Sequence, residues 1–516
     1  MSRFPIFNQV ENTRLKYNIF DLSHDKKLSC KMGMLIPIQC IDLIPGDQFK
    51  IQSSALVRLA PTIAPFMHRV NVFIHHFFVP NRILWDNWED FITGGKDGGD
   101  NSVHPYYPVD CVGLSRGSLF DYLGIPVGSD AANTENREIN AFPLAVYQAI
   151  FEEYYNDQNV GNTVDYELVD GNNIANTDLD NIRYRCWEHD YLTSALPWTQ
   201  RGPEAMLPLT GDAPVVVSSS FPVTQLLRKS TTGAAAAAGA MSISMAQMRD
   251  GASSNIYLDP AGTLSADLSA VSSTSIIELR RAFRLQEWLE KSARGGARYT
   301  EMIKVHFGVD SSDKRLQRPE YIGGSKTPIK ISEVLNTSAT ASSPQGNRSG
   351  HAVSVGGGQS FSYRAEEHGY IMSIMSILPE SAYQQGIPRH FLRKDKFDYY
   401  WNEFAHIGEQ GIYKDEVMVT GTNAKGEEIW GYTPRYSEYK FMQNTVHGDF
   451  RASLDFWHMG RKFAALPNLN YSFMTMEDAE INRVFAVQDG TDNCWCQVIN
   501  QVEARRPMPI FGTPKF

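Results

Sequence analysis

The stretch that most constrains the fold of this chain is Arg69 to Gly95, RVNVFIHHFFVPNRILWDNWEDFITGG. Its first half, Val70 to Val79, is apolar at almost every position. A strand with one solvated face would instead alternate apolar and polar residues. The pattern therefore predicts a strand that is covered on both faces. Pro80 has no amide hydrogen to donate and is expected to end it.

A helix is predicted directly after this strand. Asn81 can cap its beginning, and Gly94 and Gly95 supply the left-handed turn that ends it. The helix would carry one apolar stripe, formed by Leu84, Trp85, Trp88, Phe91 and Ile92. A buried strand followed by such a helix is typical of a core element or of half an interface, and it is not a catalytic motif.

Composition excludes several classes of protein. The 516 residues include 48 Lys and Arg against 58 Asp and Glu, so the net charge is −10. That is the wrong sign for a protein whose whole surface binds nucleic acid. Six cysteines without a C-x-x-C pair indicate a reducing compartment rather than a disulfide framework. No secretory signal and no membrane span of roughly 20 apolar residues is expected.

The remaining predicted elements are separated by long polar segments. Helices are predicted from Pro143 to about Tyr155, from Ser275 to about Ala293 and from Arg298 to Gly308. Predicted strands include QFKIQ and ALVRLA between residues 47 and 63, and the segments 370–378, 417–420 and 493–502. Because few amphipathic helices lie between the strands, the sheet is predicted to be antiparallel.

Three segments have compositions that do not suit a core. Residues 207–274 are dominated by Ser, Ala, Thr and Gly, and are either a disordered linker or a surface insertion that orders against copies of itself or a partner. Residues 156–181 form a predicted acidic, Asn-rich loop. The proline-rich C-terminal residues 503–516 are predicted to be an irregular tail.

No catalytic or cofactor motif is present. The chain lacks a phosphate-binding P-loop, a G-x-G-x-x-G, a G-x-S-x-G and an H-E-x-x-H. His75 and His76 would point to opposite faces of their strand, which is poor geometry for one metal ion. Cys494 and Cys496 would share a face, but without a second pair nearby a structural role is favoured over zinc. We therefore predict no enzymatic activity and no cofactor, although a glycosidase carboxylate pair is not excluded by sequence.

Two groups of residues are candidate nucleic-acid contacts. Arg435, Tyr436 and Lys440 lie in YTPRYSEYKF, where arginine and tyrosine could stack on unpaired bases and lysine could meet phosphate. Arg505 and Arg506, beside the predicted tail, are further candidate phosphate contacts. The alternatives are an ordinary exposed strand edge for the first group and solvated charges for the second.

A set of motifs in a fixed order resembles a known family. The motifs are MHRVNVFIHHFFVPNRILWDNWEDFITGG (67–95), YLTSALPWTQRGP (191–203), ARGGARYTEMIKVHFGV (293–309), RLQRPEYIGG (315–324), EEHGYIMSIMSI (366–377), FDYYWNEFAHIGEQ (397–410) and GYTPRYSEYK (431–440). Together they resemble the major capsid protein of the microviruses, single-stranded DNA bacteriophages, and in particular the gokushovirus branch.

This resemblance implies a mainly β fold, an antiparallel viral jelly roll with roughly eight strands in two sheets and long helix- and loop-containing insertions. One domain would span residues 1–516 and assemble into a T=1 icosahedral capsid around circular single-stranded DNA. The virion would be assembled in the bacterial host cytoplasm. Residues 207–274 would form a threefold protrusion used in host attachment.

The resemblance also implies partners. They are further copies of the chain, the DNA genome on the inner face, a small basic DNA-binding virion protein, other minor virion proteins and a host surface receptor. Trp85 and Trp88 become candidate subunit-interface residues.

The alternative function is a carbohydrate-binding or carbohydrate-cleaving jelly-roll phage protein. A non-capsid single-stranded DNA-binding protein is a third possibility, which the net charge of −10 disfavours.

Overall fold

A computed structural model describes most of the chain. The described residues are 16–128, 137–203, 215–217, 227–229, 241–244, 247–250, 254–258, 264–266, 276–335, 348–420, 428–477, 479–488 and 490–511. The chain divides into two compact units. The first unit combines Met1–Thr199 with Ser292–Phe516, and the second is Gln200–Lys291.

Strands dominate the described residues. In chain order they are β1 (Asn18–Asp21), β2 (His24–Cys30), β3 (Ile36–Leu43), β4 (Gln48–Leu59), β5 (Val70–Pro80), β6 (Tyr106–Val109), β7 (Arg137–Asn140), β8 (Val215–Val217), β9 (Leu227–Lys229), β10 (Met241–Ser244), β11 (Gln247–Asp250), β12 (Ser254–Leu258), β13 (Leu264–Ala266), β14 (Glu320–Pro328), β15 (Lys330–Leu335), β16 (Arg348–Gly356), β17 (Phe361–Arg364), β18 (Gly369–Pro379), β19 (Glu409–Tyr413), β20 (Ile429–Pro434) and β21 (Cys494–Arg506).

Helices are fewer and mostly short. They are α1 (Trp88–Thr93), α2 (Leu119–Leu123), α3 (Phe142–Ile150), α4 (Ile276–Gly295), α5 (Tyr299–Phe307), α6 (Lys414–Val417) and α7 (Tyr471–Met474). A π-helical turn, Phe151–Tyr155, continues α3. The predicted helices at 143–155, 275–293 and 298–308 correspond to α3 with its extension, α4 and α5, although Ser275 itself lies outside the described residues.

The first unit is built on two antiparallel sheets. One has seven strands, in the order β1-β21-β4-β16-β15, with β2 also paired to β21 and β17 also paired to β4. The other has four strands, in the order β14-β5-β18-β3. The predicted antiparallel jelly roll in two sheets is confirmed. The sheets hold more strands than the roughly eight expected, because the long strands β4 and β21 each pair with two shorter strands along one edge.

The main core lies between these two sheets. Side chains from both sheets meet there in one buried cluster that includes Ile36, Ile38, Val57, Leu59, Val72, Ile74, Ile377, Cys494 and Val498. Burying a side chain such as valine or isoleucine stabilises a fold by roughly 1.5–3 kcal/mol. The sandwich therefore obtains much of its stability from the side chains that the two sheets turn toward each other.

A second core lies on the outer face of the four-stranded sheet. Helix α3 covers that face, and Phe77 and Val79 of β5 pack against it. The helix is fixed to the sheet by Tyr147, whose buried hydroxyl donates to the carbonyl of Leu35 at 2.9 Å and accepts from the amide of Arg183 at 2.9 Å. Strand β5 thus lies between the opposite sheet and α3. The predicted two-sided burial of this strand is confirmed.

The segment after β5 differs from the prediction in where its helix begins. A 3-10 turn, Asn81–Ile83, follows Pro80, and α1 starts only at Trp88. Asn81 is buried and makes no side-chain cap, because Pro80 occupies the capping position of that turn. Gly94 ends α1 with a φ of 80°, as predicted.

Two further predictions are wrong. The segment 417–420 is not a strand, since α6 ends at Val417 and no regular element follows. The last strand, β21, continues to Arg506, so residues 503–506 belong to the seven-stranded sheet rather than to an irregular tail. Residues 503–505 pair with both β1 and β4, and Arg506 pairs with β1. Pairing on both sides satisfies the backbone groups of residues 503–505. The irregular segment begins at Pro507, and residues 512–516 lie outside the described residues.

The second unit contains β8–β13 in two small antiparallel sheets, of order β10-β11-β12-β9 and β13-β8. The candidate insertion 207–274 falls within this unit. Apart from those six short strands, the insertion lies outside the described residues, and its role as a threefold protrusion stays a prediction.

Candidate assembly and nucleic-acid surfaces

The two candidate interface tryptophans lie in different environments. Trp85 is only 2% exposed, and its Nε1 donates to Asp170 Oδ1 at 2.9 Å. Trp85 is therefore a core residue of the single chain, which corrects its assignment to a subunit interface. Trp88 is half-buried and packs edge-on against Phe142, with ring centroids 5.6 Å apart. A subunit contact at Trp88 stays a prediction.

The candidate DNA-contact residues 435–440 come together directly after β20. Tyr436 is 3% exposed, its hydroxyl donates to the carbonyl of Tyr399 at 3.3 Å and it accepts from the amide of Trp401 at 3.2 Å. A ring held in this way cannot stack on a base, so the prediction is wrong for Tyr436. Its burial follows from tertiary packing against residues 399–401, which the local sequence does not reveal.

The two cations of this group remain accessible. The guanidinium of Arg435 lies 4.9 Å from the Tyr436 ring centroid and is half-buried. Lys440 is exposed, and its ammonium donates to the carbonyl of Arg435 at 3.4 Å. The structure therefore leaves Lys440, and in part Arg435, able to reach a phosphate. Their contact with DNA stays a prediction.

Arg505 and Arg506 are neighbours on β21 and point in opposite directions. Arg506 pairs with Asp47 at 3.3 Å between Nε and Oδ2, and its Nη2 donates to the carbonyl of Asp42 at 2.6 Å. Arg506 is thus occupied inside the fold, which corrects its assignment as a phosphate contact. Arg505 is exposed, with its guanidinium 5.1 Å from the ring centroid of Tyr17. A phosphate contact at Arg505 stays a prediction.

The two adjacent histidines of β5 lie on opposite faces of their sheet, as predicted. Nδ1 of His75 is 2.7 Å from the hydroxyl of Tyr155, whereas Nδ1 of His76 is 2.7 Å from Oγ of Ser373. Burial lowers the pKa of each to about 4, so both imidazoles are neutral at physiological pH. They are packed, hydrogen-bonded histidines rather than a pair of metal ligands.

A third thiol joins the two cysteines of β21. Cys30, in β2, is directly opposite Cys494 in the register, and Cys30, Cys494 and Cys496 are all buried. Hydrogen bonds from Cys494 and Cys496 lower the pKa of Cys30. Sequence reasoning missed this group because Cys30 lies near the other end of the chain. Across the described residues, no set of three or more His, Cys, Asp or Glu side chains is arranged to hold a metal ion.

The first unit contains a cleft of about 1020 Å³ whose lining includes Arg185, Arg294 and Arg298. Each of these arginines has a partner inside the fold. Arg185 donates to Ser376 Oγ at 3.0 Å, Arg294 pairs with Glu409, and Arg298 donates to backbone carbonyls of residues 152 and 156. The cations thus hold segments of the unit together, and the cleft offers structural ion pairs rather than a reactive group.

The whole chain resembles capsid proteins. The family model described as "Capsid protein (F protein)" matches residues 8–516. The chain is 32% identical to capsid protein VP1 of Chlamydia phage 1 over 588 residues, with 98% of this chain and 97% of the relative covered. It is 34% identical to capsid protein VP1 of Bdellovibrio phage phiMH2K, with 99% and 97% covered. For capsid protein VP1 of Spiroplasma virus 4 the identity is 30%, with 99% and 98% covered. Within the described residues, no helix is long and apolar enough to cross a membrane.

Proposed function

The chain belongs to the capsid protein (F protein) family and is a structural capsid protein of a gokushovirus-like bacteriophage, and we propose that its copies close into a T=1 icosahedral shell around a circular single-stranded DNA genome. The protein is located in the virion, and its role is structural rather than enzymatic. We also propose that the shell is assembled in the bacterial host cytoplasm.

The end-to-end similarity to three capsid proteins carries this proposal. Its physical support is the two-sheet sandwich of the first unit, with long loops between its strands. Shell subunits must present large surfaces to their neighbours, because permanent subunit interfaces typically bury more than about 2,000 Å². No observation favours the alternative of a carbohydrate-binding or carbohydrate-cleaving protein.

We propose that DNA meets the shell through a few local cations. The net charge of −10 leaves the chain unable to neutralise a genome by itself. Lys440 and Arg505 are exposed and Arg435 is half-buried, so these three are the remaining candidates for phosphate contacts. A small basic virion protein would supply most of the counter-charge, and other minor virion proteins would complete the particle.

We further propose that residues 207–274 form a surface insertion that gathers at the threefold axes and contacts a host receptor. Deleting these residues should leave the unfolding transition of the first unit unchanged and abolish attachment to host cells. A deletion variant that cannot be recovered as folded protein would contradict this assignment. Circular dichroism and a cell-attachment assay measure the two effects.

The shell itself is tested with the purified full-length chain. Electron microscopy and sedimentation should show closed particles of T=1 geometry, and the same sample dissociated in mild denaturant is the control. Particles purified from infected cells should be denser than these, because they contain the genome. A wild-type chain that stays monomeric under all conditions would contradict the proposed assembly.

A further inference from the structure

Large aromatic and apolar side chains are exposed where residues 389–404 meet residues 436–442. Eight large side chains in these two segments are between 44% and 90% exposed: Phe391, Phe397, Tyr399, Tyr400, Trp401, Tyr439, Phe441 and Met442. We call this set the aromatic surface. All eight residues belong to the first unit. Exposed apolar area of this kind is costly in water unless something covers it.

The aromatic surface is held rigidly rather than loosely. The guanidinium of Arg393 lies 4.4 Å from the ring centroid of Tyr439 and 5.3 Å from that of Tyr399, so it connects the two segments. The amide of Tyr400 donates to the Tyr439 hydroxyl at 3.3 Å, and Nε1 of Trp401 donates to the carbonyl of residue 396 at 2.8 Å. A preorganised surface loses little conformational entropy when a partner binds it.

A groove of about 330 Å³ adjoins these rings. Phe391, Phe441 and Met442 line it together with Tyr191 and Pro388. Grooves of this kind accept an anchoring side chain from a partner protein, and such anchors contribute most of the binding energy at protein interfaces. The aromatic surface therefore combines exposed rings with a groove that can hold a protruding side chain of a partner.

The size of the surface matches a subunit contact. The exposed parts of the eight side chains amount to about 900 Å², taking roughly 200 Å² for each complete large side chain. The largest apolar patch on a typical monomer is about 300–600 Å². A standard protein–protein interface buries about 800 Å² on each partner. The aromatic surface is therefore large enough to form the main part of one subunit contact.

The charges beside the surface favour a protein partner over single-stranded DNA. Arg389 pairs with Glu416 at 2.6 Å, and Arg393 pairs with Glu438 at 3.6 Å. Stacking surfaces for single-stranded DNA combine aromatic rings with unpaired cations that meet the backbone. The two arginines beside the rings are already neutralised, although Lys396 and Lys440 in the same segments are exposed. Aromatic residues, methionine and arginine are the residue types enriched in protein interfaces.

We propose that the aromatic surface is a subunit–subunit contact of the shell, covered by a second copy of this chain. The proposal rests on the proposed assembly and identifies the part of the chain that sustains it. Met442, which is 90% exposed, would be among the residues most completely covered in the particle.

Oxidation of methionine by hydrogen peroxide measures this coverage directly. Purified chain is compared as dissociated subunits and as DNA-free particles, and the sulfoxide at each methionine is quantified by mass spectrometry. Met442 should oxidise at least about tenfold more slowly in the particles, because hydrogen peroxide cannot reach a thioether that a second subunit covers. Met375 is 0% exposed and is the internal reference, since it should be protected in both samples.

Two variants at the same position separate assembly from folding. Met442→Glu places a charge on the surface and should lower the yield of particles at least about tenfold. Met442→Leu keeps the apolar contact and should assemble like wild type. Both variants should unfold at the same denaturant concentration as wild type, because the side chain touches little of its own subunit.

Several outcomes would overturn the proposal. Unchanged oxidation of Met442 in closed DNA-free particles would mean that no second copy covers it. Protection that arises only in DNA-containing particles would make the genome the occupant. If Met442→Glu formed as many particles as wild type, the aromatic surface would not contribute to assembly. A wild-type chain that forms no particles contradicts the proposed function itself, and the wild-type sample distinguishes that failure from the others.

Discussion

Asp47 and Arg506 form an ion pair that joins the turn before β4 to the last residue of β21, with 3.3 Å between Oδ2 and Nε. The Asp47 side chain is fully buried and that of Arg506 is 14% exposed. The guanidinium also lies 5.2 Å from the ring centroid of Phe49. The pair therefore holds the C-terminal end of β21 to the turn that precedes β4.

Removing this pair should destabilise the fold, whereas removing the neighbouring arginine should not. Arg506→Ala leaves the Asp47 carboxylate buried without its cation, and we expect the free energy of unfolding to fall by about 3 kcal/mol. Arg505→Ala is the matched control, because Arg505 is exposed and should change stability by no more than about 0.5 kcal/mol. Chemical denaturation of dissociated subunits measures both. Equal effects at the two positions would contradict the structural role of Arg506.

The buried histidines of β5 predict a loss of stability in acid. In the folded chain burial lowers the pKa of His76 to about 4, whereas the pKa of a histidine in water is about 6.5. The unfolded chain therefore binds more protons between these values, and this contribution to stability is present above pH 6.5 and is lost as the pH falls to about 4. His76→Gln should reduce the slope of unfolding free energy against pH in this window by up to about 1.4 kcal/mol per pH unit.

Urea unfolding of dissociated subunits at several pH values between 4 and 6.5 checks this slope. His75→Gln provides a companion measurement on the other face of the sheet, since burial also lowers the pKa of His75 to about 4. The two single variants should each flatten the dependence. Variants with the full wild-type slope would show that these imidazoles are protonated in the fold.

Gly33, in the turn between β2 and β3, should not tolerate a side chain. Its φ is +82°, and a Cβ there would lie 2.2 Å from the carbonyl oxygen of Met476. Gly98 has a similar φ of +69° but no heavy atom within 4 Å of a Cβ. Alanine at Gly98 should cost about 1–2 kcal/mol for the left-handed conformation alone. Alanine at Gly33 should cost at least about 2 kcal/mol more, because backbone must move.

Thermal or chemical unfolding of the two glycine variants, each compared with wild type, gives this difference. The comparison cancels the conformational penalty that both positions share. If Gly33→Ala were no less stable than Gly98→Ala, the carbonyl of Met476 would not lie close to this turn in the folded protein.

The proposed phosphate contacts predict a change in genome content without a change in assembly. Arg505→Ala and Lys440→Ala remove exposed cations, so particles of both variants should retain less DNA, and Arg505→Ala particles should form in normal number. Ultraviolet absorbance and buoyant density of purified particles measure the DNA. Arg505→Lys, which keeps the charge, is the control and should retain the wild-type amount. Normal DNA content in both alanine variants would place the contacts elsewhere.

Local sequence patterns predicted those parts of the fold that depend on neighbouring residues. The continuous apolar run of β5 indicated burial on two faces, and Gly94 ends α1 with positive φ. Helix α3 with its π-helical extension covers the predicted span, and every residue from Leu144 to Ile150 is buried. In each case residues close together in sequence decide the structure, because the side chains of one short segment set which of its faces can be buried and where it must turn.

Other features depend on residues that are distant in sequence. The strand predicted at 417–420 gives way to the turn of α6, where buried Glu416 pairs with Arg389 and accepts from the hydroxyl of Tyr191. A buried carboxylate must find such partners, and that requirement outweighs local β propensity. Tyr436 is drawn inward in the same way by Tyr399 and Trp401.

By itself the sequence determined the class of fold, the doubly covered strand and, through its ordered motifs, the capsid family. Only the tertiary structure decided which side chains are free. It placed Trp85 in the core, joined Arg506 to Asp47 and brought Cys30 to Cys494 and Cys496. It also assembled an exposed aromatic surface from two separate segments. The physical reason is that periodicity reports burial along one element, whereas exposure and pairing are settled by contacts between elements that the chain brings together only when it folds.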